Sequence, residues 1–257
     1  MVRDLTEHPI EDDWYRHAFD KLYPIVYAHR SVTSARAEAQ FAAEVLGLRP
    51  GARVLDRCCG NGRHMVHLIE QGARVIGLDY SPDLLGLARQ AIGTAALVRG
   101  DMRRLPFRRA FDAVVNFFTS FGYFLAPEDN YDVLRGMSKA LKPGGRLFLD
   151  HMNAIQVERT LTPQSVRYSG DYTIRETRWI DGRLRRVNKT TEVLREGRVV
   201  HRASESVQLY SLEEFRALLA RAGFRIERVF GDYAGTPFDD DSPRMIVVAC
   251  RPAPGAA

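Results

Sequence analysis

The sequence of 257 residues predicts an α/β protein: a doubly wound, mostly parallel seven-stranded sheet with an antiparallel meander inserted after its fifth strand. Three observations carry this expectation. First, Val54-Leu55 and Val75-Ile76-Gly77-Leu78 are short apolar runs that end on acids, Asp56 and Asp79, and between them Met65, Val66, Leu68 and Ile69 recur at helical spacing. Strand, glycine-containing turn (Cys58-Cys59-Gly60-Asn61-Gly62), helix and strand form a βαβ unit whose turn lets backbone approach a ligand. Second, strand and helix patterns keep alternating as far as Leu149, as parallel strands with crossover helices do. Third, the pattern changes between Val166 and Tyr210 to extended segments rich in Arg, Thr, Val and Glu.

The elements follow in chain order. Trp14, Tyr15, Phe19, Tyr23 and Tyr27 crowd the stretch from Asp12 to His29; Asp12 or Asp13 suits a helix cap, and Pro24 a break or kink. Ser34 caps a helix that runs through Gly47 with Ala35, Phe41, Ala42, Val45 and Leu46 apolar, and Arg49-Pro50-Gly51 turns into the first strand. After the second strand, Ser81-Pro82-Asp83 starts a helix to about Ile92, with proline at the first helical position. Ala95–Val98 and Ala110–Asn116 are the third and fourth strands; Glu128–Leu141 is a helix ended by Lys142-Pro143-Gly144-Gly145, and Arg146–Leu149 is the fifth strand. Asp181-Gly182 and Glu196-Gly197 read as hairpin turns of a three-stranded meander. Ser211 caps a helix to Ala222, closed by Gly223; Phe224–Phe230 and Met245–Cys250 are the last strands, before a tail, Pro252–Ala257, expected to fray.

A dinucleotide fingerprint needs G-x-G-x-x-G, but Arg63, His64 and Met65 follow Gly62, so the third glycine is missing and an NAD-dependent oxidoreductase is disfavoured. Asp79 lies about twenty residues beyond the glycines, where such folds bond ribose hydroxyls, and the polar Asn116 ends the fourth strand at the crevice where open α/β sheets bind ligands. The D-x-x-x-G-x-G pattern from Asp56 to Gly62 resembles motif I of the class I S-adenosylmethionine (SAM) methyltransferases, with Cys58 where the stricter pattern has glycine. Leu141-Lys142-Pro143-Gly144-Gly145 before an apolar strand is similar to another local signature of that family, and the aromatic Phe117–Phe124 segment resembles the corresponding loop of bacterial small-molecule members.

This resemblance spans nearly the whole chain and implies a Rossmann-like methyltransferase fold with SAM as cofactor. It places Asp56, Cys58, Gly60, Gly62, Asp79, Tyr80, Asn116 and Phe117 around SAM, Asp101 and Met102 at its adenine, and Arg30 at its carboxylate. It also implies an N-terminal helical lid. Tyr15, Tyr23 and Tyr27 of that lid, with Phe118 and Tyr123, are the candidates to line an acceptor cleft. The residues themselves leave other readings open: a core-facing aromatic stripe, a solvated Arg30, and plain packing for Phe117–Phe124. The expected division is a lid and sheet-covering helix (1–50), a SAM-binding core (51–165), an accessory sheet (166–210) and a closing helix and hairpin (211–257).

Methyl transfer from a sulfonium is an in-line displacement, for which a protein supplies alignment and a dry pocket. An amine acceptor must be neutral, whereas a hydroxyl usually wants a base. His151, at the end of the fifth strand, is the candidate base; a histidine packed at a strand end is the alternative. The expected activity is SAM-dependent methylation of a small polar molecule, at nitrogen ahead of oxygen or carbon. An RNA-modifying methyltransferase, which would need a continuous basic groove, and a SAM-binding protein without catalysis are the rivals.

Composition narrows the partners. The formal charge is +5, and ten basic against five acidic residues between Arg167 and Arg202 account for all of it. The plain reading of that stretch is a solvated sheet face with cross-strand ion pairs, which makes nucleic acid a disfavoured partner and leaves a homo-oligomer possible. No apolar run approaches the ~18 residues of a membrane span. The acidic N-terminus does not resemble a signal peptide, and three cysteines, two of them adjacent, suit a reducing cytoplasm. Cys58, Cys59, His64 and His67 match no common zinc spacing, so no metal is expected.

Overall fold

The computed structural model describes residues 10–30, 32–93, 96–253 and 255. A 3₁₀ turn (Trp14–Arg16) and a short α1 (Tyr23–Val26) lead into α2 (Val32–Leu46), β1 (Arg53–Arg57), α3 (Arg63–Glu70), β2 (Arg74–Asp79), α4 (Pro82–Ile92) and β3 (Ala96–Arg99). Then come β4 (Phe111–Asn116), α5 (Pro127–Ala140), β5 (Leu141–Met152) and α6 (Ala154–Thr160). Four strands follow, β6 (Gln164–Ser169), β7 (Tyr172–Asp181), β8 (Arg186–Arg195) and β9 (Arg198–Gln208), before α7 (Leu212–Arg221), β10 (Arg225–Phe230) and β11 (Arg244–Cys250).

The main sheet runs β10-β11-β5-β4-β1-β2-β3. Strands β1 to β5 pair in parallel, and β11 is antiparallel to both β5 and β10. Successive side chains of a strand point to opposite faces. Leu55, Val114, Leu147 and Leu149 therefore join one core, with Leu134 of α5 and Phe215 of α7. Val54, Ala113, Val115 and Phe148 join the other, with Ala39 of α2 and Leu68 of α3. The chain leaves β1 outward through β2 and β3 and returns to β4 on β1's other side, so a crevice opens where strand order reverses.

Several expectations need correction. The aromatic N-terminus is not one helix. Asp13 makes no capping bond, the Asp20 carboxylate accepts the Leu22 N–H at 2.8 Å in a turn, and Pro24 opens α1 instead of kinking a longer helix. Helix α2 starts at Val32, so Ser34 sits in its first turn rather than at its cap. Strand β5 takes in the Lys142–Gly145 segment, because that bulge finds a partner beyond β11: Gly144 N–H donates to Arg251 O at 2.7 Å and Arg251 N–H to Gly145 O at 2.8 Å. Helix α6, capped by Asn153, was not expected. The meander has four strands, not three, since Gly170 at φ 53° and Asp171 form one more two-residue turn, with Ser169 opposite Tyr172. Ala95 at the expected start of β3, residues 1–9 and half of the tail (254, 256 and 257) lie outside the described residues. Among the described residues no helix is long and apolar enough to cross a membrane.

Gly62 begins α3 at φ 78°, and a Cβ there would lie 3.2 Å from the Cβ of Ala88 in α4. Gly62→Val is therefore expected to lower unfolding stability by roughly 2–4 kcal/mol, combining left-handed backbone strain with overpacking. An unchanged urea midpoint would remove the packing role assigned to this glycine.

Candidate active site

The crevice deepens into a cavity of about 300 Å³. The β1–α3 turn, the ends of β2 and β4, the aromatic N-terminus and the inner face of the four-stranded sheet all contribute to its wall. On the turn side, Asp79 is the organising group. Its Oδ2 accepts the Gly60 N–H and its Oδ1 the Ser81 N–H, each at 2.9 Å. One carboxylate thus ties the β1–α3 turn to the start of α4. Burial pushes this carboxyl above its usual range, against the hydrogen bonds from the Ser81 and Gly60 backbone. Cys58 holds φ 60° without being glycine, a strained conformation of the kind found at ligand sites. Its thiol is pushed up to about 12 by burial.

Of the residues expected around SAM, Arg30, Cys58, Gly60, Asp79, Tyr80, Met102 and Phe117 line the cavity. Asp56, Gly62, Asp101 and Asn116 do not. Asp56 is buried beneath the turn, its Oδ2 without a partner among the described residues; burial, with the Asp79 charge adding, pushes its carboxyl up to about 8. Asp101 is turned to Arg103, which holds it at 2.6 Å and also reaches Asp129 at 2.8 Å and the Tyr15 hydroxyl at 3.3 Å. Asn116 is locked to Arg57, accepting from its guanidinium at 3.3 Å and donating to its carbonyl at 3.2 Å. Arg57 was not anticipated. Fully buried, it donates to the Met102 sulfur at 3.2 Å and the Ser120 carbonyl at 2.6 Å, joining three loops behind the cavity wall.

Tyr15, Tyr23, Tyr27, Phe118 and Tyr123 all line the cavity. Tyr23 and Tyr27 stand 4.5 Å apart, and Phe19 stacks on Tyr123 at 6.0 Å with Trp14 behind it at 4.8 Å. Phe118 and Thr119 are both left-handed, at φ 51° and 55°, and Asp150 holds them there. Its Oδ2 accepts the Phe118 N–H at 2.9 Å and its carbonyl the Thr119 N–H at 3.1 Å, while Arg244 and the Tyr233 hydroxyl, each at 2.8 Å, hold its carboxylate.

His151 is the main correction among the chemical groups. It is fully buried and absent from the cavity wall, packed against Phe215 at 5.1 Å and Tyr210 at 5.9 Å. Its Nδ1 is bonded to the Met152 carbonyl at 2.9 Å, and burial lowers its pKa to about 4. The neighbouring Met152 lines the cavity instead. His64 does line it, but stacks on Phe117 at 4.0 Å with Nε2 bonded to Glu38 at 2.7 Å; burial and Arg63 lower its pKa well below the usual value.

The four-stranded sheet contributes residues no local pattern singled out: Arg178, Val187, Lys189, Glu205 and Val207 line the cavity. Behind them, Glu176 is 1% exposed in its side chain and takes ion pairs from Arg167 at 2.5 Å, Lys189 at 3.7 Å and Arg178. The cation excess of this stretch is thus partly turned inward.

A seven-stranded sheet in this order, with a carboxylate at the end of β2 facing a backbone turn across the switch point, is a doubly wound fold with its ligand crevice at that point. Residues 54–145 match the model of a methyltransferase domain. A cypemycin N-terminal methyltransferase from Streptomyces sp. is 33% identical over 229 residues, 83% of this chain and 89% of the relative. The CcbJ methyltransferase from Streptomyces caelestis superposes with a TM-score of 0.78 over 93% of this chain and 99% of its own, at 20% identity. SAM-bound CalS10, an amino pentose methyltransferase from Micromonospora echinaspora involved in calicheamicin biosynthesis, is 25% identical, with a TM-score of 0.68 over 90% and 96% of the two chains. The chain belongs to the SAM-dependent methyltransferases, and SAM is its methyl donor. The residues present suit that donor. Asp79 keeps acceptor capacity for ribose hydroxyls, Gly60 presents bare backbone, and Arg30 is a cavity cation that meets the Tyr27 and Phe118 rings and the Tyr23 hydroxyl.

Proposed function

We propose that this methyltransferase acts on nitrogen in a small polar amine, with Asp79, Gly60, Tyr80 and Met102 holding SAM and the tyrosine-rich wall holding the acceptor. One observation carries the preference for nitrogen. Among the described residues of the cavity wall the only histidine is His64, its ring already committed to Phe117 and Glu38, and the carboxylate of Glu205 is held by Lys189 and Tyr27 below the usual glutamate range, which makes it a weak base for a hydroxyl. A hydroxyl acceptor generally needs a base to become nucleophilic, whereas a neutral amine carries its own lone pair. Two relatives support the same reading: one is named an N-terminal methyltransferase and the other an amino pentose methyltransferase. The SAM sulfonium supplies an activated methyl group. The chain's residues orient the acceptor, exclude water and offer ring faces to the positive charge that develops on nitrogen.

The test is turnover of radiolabelled SAM against matched panels of amino sugars, amino acids, short peptides with free N-termini, their hydroxyl counterparts and structured RNA. Labelled product is expected from amines alone. Labelling confined to hydroxyl compounds or to RNA would overturn the proposal.

A further inference from the structure

Glu205, on β9, lines the cavity with its side chain 21% exposed. Its two oxygens are not equivalent. Oε1 accepts from the Tyr27 hydroxyl at 2.5 Å and pairs with Lys189 at 2.7 Å, and Lys189 also bonds the Tyr27 hydroxyl. Oε2 has no hydrogen bond to any described residue, in a group fixed from the other side by two partners. Burial pushes this carboxyl up, but Lys189 and Tyr27 outweigh burial and hold it below the usual glutamate range, so it is ionised. An ionised, immobilised carboxylate with spare acceptor capacity, on the cavity wall that also carries Tyr23 and Tyr27, calls for a hydrogen-bond donor on the ligand.

We propose that Glu205 anchors the acceptor, its Oε2 taking an N–H of the amine, so that the site accepts primary and secondary amines and rejects tertiary ones. The inference rests on the N-methylation reading and deepens it. A neutral amine that gives one N–H to a fixed carboxylate has its lone pair directed away from that carboxylate, available for the methyl carbon. In the transfer one N–C bond forms and the S–C bond of the sulfonium breaks. Its electron pair stays on sulfur as a thioether, and the surplus proton on nitrogen leaves to solvent. A primary amine has an N–H to give, and so does its monomethyl product; a neutral dimethylamine has none. Methylation therefore stops at two methyl groups.

The experiment uses the full chain. Saturation-transfer NMR of its S-adenosylhomocysteine complex with methylamine as probe reads the anchor directly. Mass spectrometry of products from a panel of primary amines counts the methyl groups. Methylamine should bind about tenfold or more weakly to E205Q, and turnover should fall at least as far, since a charged hydrogen bond is lost. SAM affinity by calorimetry should be unchanged. Glu205→Asp keeps the charge, withdraws the oxygen by one methylene and should lose turnover in the same way, which covers the case in which E205Q misfolds. Methylamine binding that is absent in wild type, or equal in wild type and variants, overturns the anchor, as does a quaternary ammonium product. Failure of the underlying reading looks different: no amine in the panel is methylated by any form of the protein.

Discussion

Asp79→Ala is expected to reduce SAM affinity on the order of 100-fold or more. In the proposed donor site the carboxylate accepts from ribose hydroxyls, and hydrogen bonds to a charged group contribute about 1.5–3 kcal/mol each. The same side chain accepts the Gly60 and Ser81 N–H groups, so its loss also frees the turn that must lie close to the methionine part of the donor. Asp79→Asn separates the two effects: one oxygen remains to hold a backbone N–H while the charge is gone. Its affinity should fall between that of the alanine variant and wild type. Calorimetry with SAM and with S-adenosylhomocysteine measures both. Affinity indistinguishable from wild type in Asp79→Ala would mean that this acid serves the turn alone.

Glu176→Ala is expected to destabilise the protein by about 3–5 kcal/mol, the usual consequence of removing one partner from a buried ion cluster. Arg167, Arg178 and Lys189 would face one another without the carboxylate that joins them. Burial alone pushes the Glu176 carboxyl up, but the Arg167 hydrogen bond and the Lys189 and Arg178 charges bring it down to about 2. An unfolded glutamate titrates near 4.3, so the folded state binds its proton more weakly than the unfolded state. The stabilisation is complete above the unfolded value and is lost as pH falls toward 2. The stability difference between wild type and Glu176→Gln should shrink over that window and stay constant above it. Denaturant unfolding at a series of pH values reads this, and a difference independent of pH would refute the role of this carboxylate. Because Arg178 and Lys189 also line the cavity, acceptor turnover should suffer in the alanine variant even below its unfolding temperature.

The sequence by itself determined the parallel sheet and the donor. Apolar runs ending on Asp56 and Asp79, the glycine turn between them, the Pro82 helix start and the Asp181-Gly182 and Glu196-Gly197 turns act through local periodicity and turn chemistry, which need no distant partner. Which residues around those motifs reach the cavity was decided only in the tertiary structure. Neighbours on a strand face opposite sides, so nearness to a strand's end does not say which side chain enters the crevice. Met152 lines it while His151, one residue earlier, is packed against Phe215; Asp79 lines it while Asp56 and Asn116, at the ends of neighbouring strands, are closed off from it. The four-stranded sheet's share of the cavity wall lay further still beyond local reading. Tyr27 and Glu205 are 178 positions apart and meet because a four-stranded sheet folds its charged face over the aromatic N-terminus. Ten cations against five acids read locally as a solvated surface; buried pairing around Glu176, which only the packed chain brings about, turned part of that charge into the wall of the site.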